Sequence, residues 1–194
     1  MSVKNEENRM KRIFLIVLIT VSGVLGATAQ NLAINTEVTS DACMAPNLGV
    51  ELITGDRSSV SLNALYGKGM IGKQIDIKAI QPEYRYYFSG RPVYKWFVGV
   101  GAIGLLFDVK VKGKVYDGYG GGLGMTFGYV WNLTQRLSLD FHTGLGAIFY
   151  NRKEYFLNDN YDVDYTLDGA ERANAHGYYL LPTRIGISVS YLLK

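Results

Sequence analysis

The chain has 194 residues, with 23 Gly, 15 Tyr, 4 Pro, a single Cys and a formal net charge of +3. This length suits one domain, and so small a charge, without a basic run, argues against a nucleic-acid partner. Cys43 cannot form an intramolecular disulfide, and many Gly and Tyr with few Pro favour an all-β chain.

The N-terminus has the pattern of a secretory signal peptide. Residues 1–12 end in Lys11 and Arg12, an apolar run follows from Ile13 to Gly26, and "ATAQ" supplies a small-residue cleavage site. Fourteen helical residues cover about 21 Å, which is short of the ~30 Å hydrocarbon core. We therefore expect cleavage after Ala29, so that 1–29 is removed and 30–194 is the mature domain.

The mature chain alternates with a period of two residues. Between Ile80 and Phe88, for example, Tyr84 and Tyr86 share one parity while Glu83 and Arg85 share the other. Such alternation predicts strands with one apolar face and one small or polar face. The eight predicted strands are 31–39, 47–53, 59–66, 80–88, 95–102, 122–131, 137–149 and 184–191.

The connections between these strands alternate in length. Those after the second, fourth and sixth strands are short, and those after the third, fifth and seventh are longer. Short turns at one end and long loops at the other are typical of outer-membrane barrels. The sequence therefore predicts an all-β, eight-stranded antiparallel up-and-down transmembrane β-barrel. Pro82 would interrupt a closed wall, and a bulge or bend is expected there.

Charges fall on the parity that would face the interior of such a barrel. An eight-stranded barrel is just filled by side chains, so buried charges must be paired. Four acids face three fixed bases and one histidine. The predicted polar network of the lumen is Glu37, Glu51, Glu83, Arg85, Lys95, Asp140, His142 and Arg184.

Aromatic residues gather on the apolar parity beside the short turns. Their rings suit the boundary between lipid and water, where Tyr and Trp are enriched. The predicted aromatic belt is Tyr86, Phe88, Tyr94, Trp96, Tyr129 and Trp131.

Two stretches raise the question of catalysis or metal binding. Ser138, Asp140 and His142 share one face and have the groups of a nucleophile relay, but that face points away from lipid. The last long loop, 151–177, is rich in carboxylates, yet its spacing fails the EF-hand pattern. We predict no catalytic residue, no metal and no cofactor.

Four segments carry a resemblance to a known family: "NLAINTEVTSDACMAPNLGVEL", "QPEYRYYFSGRPVYKWFVGVGAIG", "LSLDFHTGLGAIFY" and "LPTRIGISVSYLL". They resemble the Bacteroidetes outer-membrane barrels catalogued as domain of unknown function 3575, and more distantly the small OmpA and OmpX type barrels. The resemblance implies an eight-stranded barrel in a Gram-negative outer membrane, with a role in fimbrial or cell-surface systems. The chain departs from relatives with His and Tyr-Asn after the fifth strand, since it has "GLLFDVK" there.

The leading hypothesis is a monomeric, non-enzymatic outer-membrane barrel that acts through its extracellular loops or in envelope structure. Its expected partners are outer-membrane lipid and, through the loops, a cell-surface saccharide or a fimbrial or other surface protein, with no nucleic acid. The alternatives are a lipid A acyl hydrolase or transferase, a narrow pore, and a soluble lipocalin-like barrel, which would need an apolar interior.

Overall fold

The computed structural model describes residues 32–70, 74–111, 113–156 and 174–193. The predicted signal peptide and most of the acidic loop 151–177 lie outside these ranges. The described chain forms eight strands and one short helix, α1. Their bounds are β1 Leu32–Glu37, α1 Val38–Ala42, β2 Asn47–Ile53, β3 Ser58–Gly67, β4 Gln74–Tyr87, β5 Lys95–Val111, β6 Lys114–Asn132, β7 Leu137–Phe156 and β8 Asn174–Leu193.

The strands form a closed ring in which each pairs with its neighbours in sequence and β1 pairs with β8. Every pairing is antiparallel. The prediction of eight antiparallel strands in up-and-down order is therefore confirmed, and the ring is called the barrel below. Its lower end carries the short turns 54–57, 88–94 and 133–136. No helix within the described ranges is long and apolar enough to cross a membrane.

The register of the ladders gives the tilt of the strands. A row of paired residues that starts at Leu192 passes around all eight strands and returns to β8 at Leu181, eleven residues away. This shift is about 36 Å along the strand, against about 38 Å for eight interstrand spacings. The strands are therefore tilted by about 43° from the barrel axis, within the usual range for small barrels.

The barrel has the reverse polarity of a water-soluble protein. On β3, Ser59, Ser61 and Asn63 are buried in the interior, while Val60 and Leu62 are exposed on the outside. The same holds around the wall, and more polar than apolar side chains are buried among the described residues. A soluble protein hides its aliphatic side chains and exposes its charges. The wall therefore has an apolar outer surface and a polar lower interior.

The wall is uneven in height because β1 and β2 have only six and seven residues, whereas β7 and β8 have twenty each. The β1–β8 ladder ends at Glu37 and Ser188, where the chain turns into α1. Among the described strands, residues 174–187 of β8 consequently pair with β7 alone. This gap between the described strands of the upper wall has residues 174–187 along one side and α1 at its lower end, and it is called the notch.

Several local predictions were wrong. The first strand ends at Glu37 rather than residue 39, since α1 begins at Val38. Residues 103–111 and 114–121, expected in a long connection, instead extend β5 and β6. In the same way β4 begins at Gln74, β7 ends at Phe156 and β8 begins at Asn174, beyond the predicted bounds 80–88, 137–149 and 184–191. The β3–β4 ladder continues through Pro82, and the β4–β5 ladder lacks pairs at Gln81 and Pro82 but resumes in the same register, so Pro82 interrupts the ladder without a bulge. The register shift lies between Gly144 and Leu145, opposite β8.

Candidate functional site

Arg85 is the centre of a buried ion cluster in the lower interior. It is 1% exposed, and its Nη1 lies 2.7 Å from Asp140 Oδ2 while its Nε lies 2.8 Å from Glu83 Oε2. The same Nη1 is 3.4 Å from Glu51 Oε2. These three carboxylates come from β4, β7 and β2. One guanidinium thus ties together strands on opposite sides of the barrel.

His142 and Arg184 extend the cluster upward. Arg184 Nη1 lies 2.8 Å from the Glu83 oxygen that Arg85 also contacts. His142 Nε2 is 3.3 Å from Glu37 Oε1, and its Nδ1 is 3.5 Å from Asp140 Oδ1. A neutral imidazole has only one N–H, so both of its nitrogens can face carboxylates favourably only when it is protonated.

Neutral donors satisfy further carboxylate oxygens. The hydroxyl of Tyr87 donates to Glu51 Oε1 at 2.7 Å, and the hydroxyl of Ser59 donates to the same oxygen. Asn47 Nδ2 donates to Glu37 Oε2 at 3.0 Å. Such bonds offset the large desolvation penalty of a buried carboxylate.

Lys95 does not join this cluster, which corrects the sequence prediction. It lies exposed at the lower end of β5 with φ of 57°, and its ammonium stands 5.1 Å from the centre of the Tyr94 ring. The other seven predicted residues do lie together in the buried interior. The cluster therefore holds four carboxylates against two arginines and one histidine, so its charge leans negative.

An apolar layer closes the barrel below the cluster. Tyr87, Phe97 and Val130 are each at most 2% exposed and pack against one another, with Val93 beside them. The guanidinium of Arg85 stacks 4.6 Å above the Phe97 ring. In the sequence, Phe97 has the inward parity of Lys95, two residues before it, but it is not among the predicted lumen residues. The sequence feature that could have indicated its role is a large aromatic ring on a strand face otherwise made of small residues. In the structure this ring lies directly opposite Gly128.

Gly128 provides the space that the Phe97 ring occupies. A Cβ at residue 128 would overlap two ring atoms of Phe97 and lie 2.7 Å from the carbonyl oxygen of Phe141. We expect Gly128→Ala to lower the free energy of unfolding by about 1–3 kcal/mol, as overpacking does. Gly121→Ala is the matched control, since its Cβ would meet only a carbonyl oxygen at 3.5 Å. Equal urea midpoints for the two variants would contradict this account.

The six predicted belt residues all lie at or beside the lower ends of β4, β5 and β6. Tyr86 and Phe88 meet edge to face at 5.7 Å, as Trp96 and Tyr129 do at 4.9 Å. Tyr94 differs from the others because it belongs to the turn, where Arg91 stands 4.0 Å from its ring centre. Phe88, Trp96 and Trp131 are each about 60% exposed on the outer surface.

A second, upper set of outward aromatics was largely missed by sequence reasoning. It includes Tyr119, Phe149 and Tyr178, of which the last two contact at 6.1 Å. Tyr119 and Trp131 are twelve residues apart on β6, or about 40 Å along the strand and about 29 Å along the axis at this tilt. From about this level upward the outer surface turns charged, since Asp76, Asp108, Asp117 and Lys153 form successive pairs across β4 to β7 in a row that rises with the tilt of the strands.

The Ser138, Asp140 and His142 trio is divided by the fold. Asp140 and His142 belong to the ion cluster, whereas Ser138, although buried, makes no hydrogen bond to either within the described chain. A nucleophile relay needs the hydroxyl within hydrogen-bonding reach of its base. Within the described ranges, no three His, Cys, Asp or Glu side chains are arranged to hold a metal ion.

Comparison with known proteins identifies a family. A family model described as "Protein of unknown function (DUF3575)" matches residues 13–193. No curated protein and no solved structure matches the chain. The matched range includes all eight strands, the ion cluster and the belt. The chain therefore belongs to the DUF3575 family.

Proposed function

We propose that this protein is an integral outer-membrane barrel of a Gram-negative, Bacteroidetes-type bacterium. In this proposal it acts without catalysis, as an envelope component that presents its upper loops at the cell surface. The observation that carries the proposal is the reversed polarity of the wall. Large aliphatic and aromatic side chains such as Leu123, Leu145 and Ile185 are more than 60% exposed, which water would oppose and hydrocarbon would favour.

The dimensions of the outer surface support this assignment. The two aromatic sets stand about 29 Å apart along the axis, close to the thickness of a bilayer's hydrocarbon core. The charged row of Asp76, Asp108 and Asp117 starts at the level of the upper set and rises beyond it, where headgroups and water would meet it. Where β1 pairs with β8, the ring closes and the backbone polar groups of the wall are paired, as lipid requires; above Ser188 the free edge of β8 has no partner among the described strands.

The lower interior supports a scaffold rather than a pore. Ions that crossed the barrel would have to displace the Arg85 cluster and then the layer of Tyr87, Phe97 and Val130. With the lower lumen filled, we propose that the upper loops meet the partner at the cell surface. The carboxylate-rich sequence 157–173 joins β7 to β8 at that end, and a cell-surface saccharide or surface protein is the partner that we propose for it.

The proposed location can be tested on membranes from the native host. We expect the protein to stay with the outer-membrane fraction after carbonate and urea washes, because its apolar band would be held by lipid. Release of the folded protein by these washes would reject the membrane assignment.

The closed lumen can be tested by electrical recording. The purified barrel in planar bilayers should show no stepwise conductance, because the buried ion cluster and the apolar layer occupy the lower interior of the described barrel. An open 16-stranded porin serves as the positive control for the same bilayer. Reproducible conductance steps would overturn the sealed-scaffold proposal and restore the pore alternative.

A further inference from the structure

The inner surface of the barrel changes character above the ion cluster. Below this level the inward side chains are buried, whereas above it they are mostly aliphatic or aromatic, with a stacked pair at Tyr150 and Tyr179, and remain partly accessible. This upper part of the interior is called the upper chamber. Its lining includes Ile77, Ala79, Ile103, Leu105, Ile148 and Leu181.

Glycines keep the upper chamber open. Ile103 and Ile148 both pair with Gly122, Leu105 pairs with Gly120, and Leu181 pairs with Gly146. A Cβ at residue 120 would contact Leu105 and Ile148, which shows that these side chains share the inner face. The chamber thus has apolar walls without side chains from β6 to fill its middle.

The floor of the chamber is closed. Gln81 Nε2 donates to the carbonyl oxygen of Thr183 at 3.2 Å, which joins β4 to β8 across the interior. Thr126 and Arg184 line the same level, where a cavity of about 20 Å³ remains. That volume holds a single water molecule, so a larger ligand would stop there.

In the described chain, the notch lies between the chamber and the outer apolar surface. Leu180 on β8 is 79% exposed, and Leu48 and Met44 near α1 are each more than 60% exposed. Most of the free edge of β8 lies between Tyr178 and Ile187. With strands tilted by about 43°, these two residues are about 22 Å apart along the barrel axis. Pro182 lies on this edge, where a strand tolerates the missing N–H.

Arg152 stands at the upper end of the chamber, and at least one of its N–H donors makes no hydrogen bond within the described chain. Its guanidinium lies 5.3 Å from the Tyr116 ring centre and 5.5 Å from that of Tyr150, and its Nε is buried with no hydrogen-bond partner among the described residues. Glu154 is 3.9 Å from Arg152 Nη2, but it also accepts a shorter contact of 3.0 Å from Lys114. A planar guanidinium of this kind suits a carboxylate or phosphate group.

We propose that the upper chamber binds one acyl chain of an anionic amphiphile, which enters from the bilayer through the notch and places its head at Arg152. Gly146 and Arg152 are six residues apart on β7, about 20 Å along the strand, which matches an extended chain of about sixteen carbons. A fatty acid and an anionic phospholipid share this chemistry. The inference rests on the proposed membrane location, because the notch meets acyl chains only where lipid surrounds the wall.

Two adjacent leucines provide a matched test. Leu105 faces the chamber and Leu106 faces outward with 57% exposure, so Leu105→Trp fills the chamber while Leu106→Trp does not. The purified full-length mature barrel in vesicles is titrated with nitroxide-labelled hexadecanoate. We expect a saturable immobilised signal of one chain per barrel that Leu105→Trp weakens by more than about tenfold and Leu106→Trp leaves unchanged. Leu181→Trp with Leu180→Trp repeats the comparison if Leu105→Trp fails to fold.

The head contact is tested with Arg152→Gln against Lys153→Gln. Arg152→Gln should weaken the hexadecanoate probe by about tenfold and leave its uncharged methyl ester unaffected. Lys153, on the outer face, should matter for neither probe. Unlabelled hexadecanoate and dipalmitoyl phosphatidate then compete for the site, and the stronger competitor identifies the source of the chain.

The outcomes separate this inference from the proposed function. A barrel that inserts into vesicles but shows no saturable immobilised signal, or equal binding by Leu105→Trp and Leu106→Trp, would overturn the acyl-chain site alone. A barrel that does not insert would overturn the membrane proposal, and the acyl-chain inference with it.

Discussion

Arg85→Ala is expected to lower the free energy of unfolding by about 3–5 kcal/mol, the largest effect of any single substitution in the ion cluster. The reason is that Arg85 contacts Glu51, Glu83 and Asp140 at 3.4 Å or less, in an interior where all four side chains are nearly inaccessible. Its loss leaves these carboxylates with too few cations nearby. Urea titration of the refolded barrel, followed by tryptophan fluorescence, measures the change.

Arg91→Ala is the matched control for this prediction. Arg91 lies exposed in the lower turn and contacts only the Tyr94 ring in the described structure, so its removal should cost less than about 1 kcal/mol. In the double variant Arg85→Ala/Asp140→Asn, one unpaired carboxylate is neutralised. The loss should then be smaller than the sum of the two single losses. Strict additivity, or equal stability of Arg85→Ala and Arg91→Ala, would contradict the role assigned to the cluster.

Leu145→Arg tests the environment of the outer surface. Leu145 is 68% exposed and lies on β7 between the two aromatic sets. If hydrocarbon surrounds it, an arginine there should lower the stability of the barrel in lipid vesicles by about 2–4 kcal/mol. In water, the same substitution at so exposed a site would change stability by about 0.5 kcal/mol or less. The expected effect thus comes from lipid rather than from packing within the protein.

Leu133→Arg makes the same chemical change outside the proposed membrane. Leu133 is 47% exposed in the lower turn between β6 and β7. Its replacement should leave stability in vesicles nearly unchanged, because headgroups and water can solvate the arginine there. Comparable losses for Leu145→Arg and Leu133→Arg would show that the outer surface does not lie in hydrocarbon.

Sequence periodicity was most successful in the lower half of the barrel. There the apolar and polar parities differ strongly, as at Tyr84 and Tyr86 against Glu83 and Arg85, and the strand bounds agree closely with prediction. In the upper half the contrast fades. Leu105 inside and Leu106 outside are the same residue type, and Asp76, Asp108 and Asp117 occupy the outward parity. These strands have aliphatic residues on the inner face and charged residues on the outer face, which is not the pattern expected of a membrane strand. Residues 103–121 were therefore predicted to be a loop.

Lys95 shows a second case in which sequence alternation assigned a side chain to the wrong face. Its place in the alternation is inward, opposite Val130, but it is the first residue of β5 and its positive φ carries the side chain out of the wall. Alternation assigns a face only where both neighbouring residues are extended. At a strand end, the backbone of the turn decides the direction of the side chain, and the sequence period contains no information about it.

The sequence by itself determined the eight-strand count, the antiparallel order and which face of the lower wall carries charge, because side chains in a strand alternate with a strict period of two. Only the tertiary structure decided which charges meet, that the wall is short at β1 and β2, and that an apolar chamber lies above the ion cluster. These features depend on the stagger of eleven residues around the ring. That stagger brings Arg85 to Asp140, residues 55 positions apart in sequence, and local alternation does not encode it.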